Sequence, residues 1–174
     1  VNVVTGLADI IFGALAEGIA EFVVAPNQPS LPAVQPELLY VDQNTVVGRV
    51  GHPILRRRRV TLADLAQQRW VLPQRNDLMR QYFDTQFLAA GLTPPAPVWE
   101  SNSVPLIKQA AAGSDALTFL PLPAIRDATN TLAALRNSPC TWERSMLVFR
   151  RSPGQASPAA EALIAELRGV AAEL

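Results

Sequence analysis

His52 and Cys140 are the residues of this chain most suited to chemistry, because each is the only one of its kind. A metal site needs several His, Cys, Asp or Glu ligands at close spacing. His52 has no second histidine, and Cys140 is far away in sequence. A catalytic cysteine needs a base beside it, and Cys140 follows Pro139 with none nearby. His52 sits in Gly51-His52-Pro53 and reads as a turn residue. No Gly-x-Gly-x-x-Gly, P-loop or Gly-x-Ser-x-Gly pattern is present. The residues therefore predict no catalytic site, no metal and no cofactor. Arg56, Arg57, Arg58 and Arg59 form the one dense charge run. Such a run can meet phosphate or an acidic partner, but four residues in a chain of zero net charge read as a solvated loop before a helix, not as a DNA site. Trp70, Trp99 and Trp142 adjoin apolar strand residues and read as packing.

The bulk numbers narrow the class further. The chain has 174 residues, 49% hydrophobic and 17% charged, enough for one domain or two small lobes. Fifteen basic side chains balance fifteen acidic ones, so the whole chain exerts no general attraction on nucleic acid. A single cysteine forbids an internal disulfide and fits a reducing compartment. No apolar run is long enough to span a bilayer, and no signal peptide is visible. A cytoplasmic, membrane-free protein is the expectation. The fifteen prolines punctuate elements instead of clustering.

The elements that must carry any site alternate between strand and helix. Residues 1–4 (VNVV) read as a short buried strand. Leu7, Ile10, Ile11, Ala14 and Leu15 fall at helical spacing, with Thr5 or Gly6 as cap and Gly18 as stop. Strands are expected at 19–25, 38–50, 69–72, 97–101, 117–120 and 145–150. Thr61 with Asp64 predicts a capped helix start. Asn76 or Asp77 opens a helix through about Ala90, closed by Gly91. Ser103 opens another, with Leu106, Ile107, Ala110 and Ala111 on one face and Gly113 as stop. Ser157-Pro158 starts a last helix buried through Ala160, Leu163, Ile164, Leu167 and Val170. This alternation predicts an α/β fold with parallel sheets.

Residues 45–73, TVVGRVGHPILRRRRVTLADLAQQRWVLP, carry a more specific signal. An apolar β-branched run ends in Gly-His-Pro, followed by a basic tract, a short capped helix and Trp-Val-Leu-Pro. This resembles the effector-binding domain of LysR-type transcriptional regulators. VNVVTGLADIIFGALAEGIAEFVVAP is similar to that family's strand, turn, helix and Gly-x-x-acid strand, with Gly18 and Glu21 in the glycine and acid positions. ESNSVPLIKQAAAGSDALTFLP and MLVFRRSPGQASPAAEALIAEL are similar to its later strand–helix–Leu-Pro segment and its returning strand and terminal helix. The likeness covers nearly the whole chain, in order.

The resemblance implies two Rossmann-like α/β lobes joined by crossover strands, the type II periplasmic-binding-protein-like fold. Lobe one would be 1–41 plus 148–174, and lobe two 42–147. It implies an effector held between the lobes, at strand ends and helix N-termini, where free N–H groups and the helix dipole favour polar heads. Those places are Thr5, Gly6, Pro73, Gln74, Arg75, Ser101, Asn102 and Ser103, with Phe119 and Pro121 as an apolar wall. Thr5 and Ser103 are also plain candidates for helix caps. Arg75 could grip an acidic effector through a two-pronged hydrogen bond. The family's pairing of such domains implies a homo-oligomer, with helices 7–17 and 103–112 as candidate surfaces. DNA would be reached only through an N-terminal winged helix-turn-helix that is absent here, as are the family's first strand and helix of lobe one. A fragment, or a lobe one completed by another molecule, is the expectation. A transport solute-binding protein on the same fold, and an enzyme on it, are the alternatives.

Overall fold

A computed structural model describes residues 1–26, 36–128, 130–150 and 156–172. The chain divides into two compact units, Val1–Asp42 with Glu143–Leu174, and Gln43–Trp142.

In the first unit, helix α1 (Ala8–Ala16) and strand β1 (Phe22–Pro26) precede the first half of strand β2 (Glu37–Arg49). Strand β7 (Thr141–Arg150) returns to this unit and is followed by helix α5 (Pro158–Ala171). β1 pairs antiparallel with β7, Phe22 opposite Arg150 and Pro26 opposite Met146. Alternation along β1 turns Val23 and Ala25 inward, where they meet Leu15, Leu147 and Phe149. Phe12 closes this small core edge-on to Phe149, ring centres 4.9 Å apart. α5 begins where the Ser157 hydroxyl accepts from Ala160 N–H and Pro158 occupies the first turn. The Glu21 carboxylate accepts from both the backbone N–H and the hydroxyl of Ser157, tying the start of α5 to the chain just before β1.

Several expectations for this unit are corrected. Residues 1–4 form no strand and are exposed; a four-residue segment that includes the strand-disfavouring Asn2 does not hold an extended strand without pairing. Neither Thr5 nor Gly6 caps α1. Leu7 holds the cap position, without a side-chain hydrogen bond. Ile10 and Val170, placed on buried helix faces by their spacing, are exposed.

The second unit holds the end of β2, helix α2 (Leu62–Ala66), strand β3 (Arg69–Leu72), helix α3 (Leu78–Ala89), strand β4 (Trp99–Glu100), helix α4 (Val104–Ala112), strand β5 (Ala116–Pro121), strand β6 (Leu132–Ala134) and the start of β7. Its strands run in the order β2-β5-β3-β4, with β6 also on β2. β3 is parallel to both β4 and β5, while β2 is antiparallel to β5 and β6. The sheet is thus mixed. Parallel pairing is confined to strands joined by helices, because a helical crossover returns the chain in the same direction.

Strand β3 is buried through Trp70, Val71 and Leu72, as a central parallel strand should be. Trp70 packs on Phe83 and donates its indole N–H to the Leu65 carbonyl at 2.9 Å. Trp142 stacks on Tyr82, whereas Trp99 is exposed. α2 is short but doubly capped. Thr61 Oγ1 accepts from Asp64 N–H, and the Asp64 carboxylate accepts from Thr61 N–H. Gly91, at φ +71°, ends α3 in the left-handed region that glycine tolerates. Strand β4 is two residues long where five were expected. β6 and the 3-10 segment Leu122–Ala128 had no distinct pattern in the sequence.

Candidate functional site

Residue registers place the carboxyl ends of three parallel strands together. Leu72 is opposite Glu100, and Trp70 is opposite Leu117. The segments that follow β3 and β4 therefore emerge side by side, and each leads into a helix: α3 from Asp77 and α4 from Ser103. Chain crossing at such an edge gathers backbone donors and polar side chains that no sheet partner uses.

Gln74 and Asn102 hold each other there. The Gln74 N–H donates to Asn102 Oδ1 at 3.0 Å, and Asn102 Nδ2 donates to Gln74 Oε1 at 2.9 Å. Ser101 N–H donates to the Leu72 carbonyl, and Ser101 Oγ accepts from Ser103 N–H at 3.0 Å. Asp77 caps α3 by accepting from Met79 N–H at 2.8 Å. At α4 the outcome differs from the plain capping role. Ser103 sits at the cap position with extended backbone, but its hydroxyl makes no capping bond, and Pro105 contributes no N–H. Among the described residues, the side chain seen at the start of α4 is that of Ser101, on the Ser103 N–H, and the cap residue's own hydroxyl adds no bond.

Beneath this rim lies Arg80, a residue that the sequence reading missed. It is 2% exposed. Its Nη1 donates to the Pro73 carbonyl at 3.1 Å and to Glu100 Oε1 at 2.7 Å, and its Nε donates to Asp84 Oδ1 at 2.9 Å. One guanidinium thus pins the exit of β3 to the exit of β4. The Arg80/Asp84 spacing of four on a helix was the available signal. Arg75 is exposed, and its side chain has no ion-pair partner among the described residues. Asn44 was also missed. It is fully buried in β2 opposite Pro121, and its Oδ1 accepts no hydrogen bond.

The expected residues do not all converge. Gln74, Asn102, Ser101 and Ser103 form one cluster, with Pro73 buried behind it. Phe119 is enclosed in the core of the second unit, its ring 5.5 Å from Phe83, so it serves packing rather than a ligand wall. Pro121 is half-buried at the end of β5. Thr5 and Gly6 belong to the other unit and are exposed. A separate groove of about 970 Å³ lies between α4 and the segment Leu122–Ala128, lined by Val104, Pro105, Pro123 and Leu132 and crossed by the Lys108–Asp127 ion pair. None of the expected site residues lines it.

The cluster offers amides, hydroxyls and a guanidinium, which bind and orient. It has no nucleophile hydrogen-bonded to a base, the arrangement that covalent or acid–base catalysis needs. His52 is remote from it and fully engaged. Its Nδ1 accepts from Ile54 N–H and its Nε2 donates to the Asp115 carbonyl, both at 3.2 Å. Burial pushes the Cys140 thiol up to about 12, so it stays protonated and unreactive at neutral pH. Among the described residues, no three His, Cys, Asp or Glu gather as a metal-ligand set, and no helix is long and apolar enough to cross a membrane.

Comparison with known proteins agrees with this geometry. The family model of the LysR substrate binding domain matches residues 1–172, and the chain belongs to that family. It is 35% identical over 169 residues to the HTH-type transcriptional regulator GalR of Pseudomonas putida, covering 95% of this chain and 42% of that protein. It is 28% identical over 114 residues to the HTH-type transcriptional regulator GbpR of Azospirillum brasilense, covering 64% of this chain and 33% of the relative. The chain thus spans less than half the length of these curated relatives. Among solved structures, the apo regulatory domain of HypT from Salmonella typhimurium superposes with a TM-score of 0.74 at 20% identity, covering 97% of this chain and 80% of that one. The Synechocystis CcmR regulatory domain in complex with 2-PG gives a TM-score of 0.78 at 16% identity, covering 95% and 80%. The fold is that of LysR regulatory domains, the type II periplasmic-binding-protein-like fold. The homologues are transcriptional regulators and not enzymes.

Proposed function

We propose that this chain is the effector-sensing and oligomerising part of a LysR-type transcriptional regulator. Its two units serve as the two lobes of the sensor. A small molecule engages Gln74, Arg75, Ser101, Asn102 and Ser103 at the strand ends of the second unit. Thr5, Gly6 and Pro121 remain candidates on the family likeness alone. The observation that carries this reading is the reciprocal Gln74–Asn102 pair beside the uncapped start of α4. Open donors at a helix N-terminus suit a carboxylate or another electron-rich head, and a free Arg75 adds a two-pronged cationic grip.

The mechanism is a shift of population. An effector that binds one state of the domain better than another favours that state, and the oligomer carries the change to a DNA-binding domain elsewhere in the full protein. Helices α1 and α4 are the proposed oligomer surfaces, and the cytoplasm is the proposed location. A thermal-shift screen of small organic acids, sugars and aromatics tests the reading. A ligand specific to the folded form raises the melting temperature with concentration. The shift is expected to vanish in Asn102→Ala. A broad panel without a hit contradicts it.

A further inference from the structure

The opposite edge of the second unit carries a charged face that effector binding does not use. Arg49 ends β2, Arg69 begins β3, and the arginine run 56–59 lies between them in sequence. This run is not a loose tail. The turn before it is fixed by buried His52, which holds Ile54 N–H on one nitrogen and the Asp115 carbonyl on the other. Ile54 is 2% exposed, Leu55 and Val60 pack on the core, and Arg57 is bound to Asp64 at 3.0 Å. Gly51, at φ +83°, leaves room above the turn. A Cβ there would lie 3.3 Å from Arg56 Nη2 and 3.7 Å from Arg49 Nη1. Two guanidinium groups therefore converge over one glycine.

Counter-charge is scarce on this face. Arg49 pairs with Asp115 at 2.7 Å, and Arg69 and His52 also act electrostatically on that carboxylate. Arg56, Arg58 and Arg59 are exposed and form no ion pair among the described residues. Like charges gathered without partners repel, so a polyanion docking here relieves a cost that the folded chain already carries. The composition of the face selects among polyanions. Every cation on it is arginine, whose planar fork suits phosphate. Between residues 49 and 69 the one exposed large apolar side chain is Val50, and no aromatic is exposed. A stable interface with a folded protein is commonly centred on aromatic or apolar anchors, and single-stranded nucleic acid is held on stacking platforms. A duplex phosphate backbone needs neither.

We infer that the face carrying Arg49, Arg56 and Arg69, with the exposed Arg58 and Arg59 that follow Arg56 in the chain, binds the phosphate backbone of duplex nucleic acid without reading its sequence. It goes beyond the solvated-loop reading of the arginine run, with which the exposure of Arg56 to Arg59 agrees. It rests on the proposed function only in that a transcription regulator works beside DNA. The test is fluorescence anisotropy of the 174-residue chain with a labelled 20-base-pair duplex of arbitrary sequence across a salt series. Binding at low salt is expected, with log K falling against log salt at a slope of about −3 to −5, near −0.9 per phosphate neutralised. The triple variant R56S/R58S/R59S, whose exposed side chains leave the fold unchanged by circular dichroism, is expected to lose about 2 to 3 of that slope. The control R136S, on an exposed arginine beyond the other end of β6, is expected to keep it. No binding at low salt, an unchanged slope in the triple variant, or tighter binding of polyglutamate than of the duplex overturns the inference. The readout needs no effector, so failure here leaves the effector reading intact, and a failed ligand screen leaves this one intact.

Discussion

Arg80 shows how a single side chain can set the geometry of a candidate binding rim. A buried guanidinium that satisfies a carbonyl and two carboxylates holds the exits of β3 and β4 at a fixed spacing. Replacing it leaves those acceptors short of a donor. Arg80→Met, which keeps the apolar stem, is expected to destabilise the domain by about 2–3 kcal/mol, the worth of hydrogen bonds to charged groups. Urea denaturation measures this, and a ligand that binds at Gln74 and Asn102 should also bind more weakly. A second residue-scale expectation concerns acid. Hydrogen bonds from Thr61 hold the Asp64 carboxyl below the ordinary carboxylate range, the Arg49 guanidinium does the same for Asp115, and the Lys108 ammonium for Asp127. A carboxyl lowered in the folded state adds stability above its unfolded pKa and loses it as pH falls through the folded value. The urea midpoint is therefore expected to hold above about pH 4 and to decline below it. Asp115→Asn should make that decline shallower.

At the scale of elements, the Leu117 side chain of β5 fills the space that Gly48 of β2 leaves open. A Cβ on Gly48 would lie 2.8 Å from Leu117 Cδ2, and Leu117 is fully buried. Gly48→Ala is expected to overpack this contact and lower stability by about 1–3 kcal/mol, read as a lower thermal midpoint. Phe83, in ring contact with Trp70, Phe87 and Phe119, anchors α3 to the same sheet. Its truncation to alanine should cost about 3–5 kcal/mol. Elements with a local cause were legible in the sequence. The Thr61/Asp64 box, the Asp77 cap, the Gly91 stop and Ser157-Pro158 all act within one turn of chain, and all stand where they were expected. Features that a distant partner sets were less legible, in extent more often than in existence. β6 forms where β2 offers it an edge, β4 is cut to the two residues that pair with β3, and residues 1–4 pair with no strand.

At the scale of the whole molecule, two edges of the second unit differ in their chemistry. The carboxyl edge of the parallel strands gathers amides and hydroxyls above the buried Arg80 and its partner Glu100, while the other edge carries Arg49 and Arg69. The order of motifs along the chain was enough to suggest the family, and with it the fold, because many weak signals in a fixed sequence constrain one another. The candidate cluster was only half legible. Strand ends and helix starts marked Gln74, Asn102, Ser101 and Ser103, but the burial of Phe119 and the role of Arg80 depend on packing that no local pattern reports. Titration calorimetry of a thermal-shift hit against the wild-type chain and Asn102→Ala tests most directly whether the domain holds its ligand without transforming it. Saturable heats that vanish in the variant are the predicted result. A steady heat of turnover, or equal binding by the variant, would contradict the account.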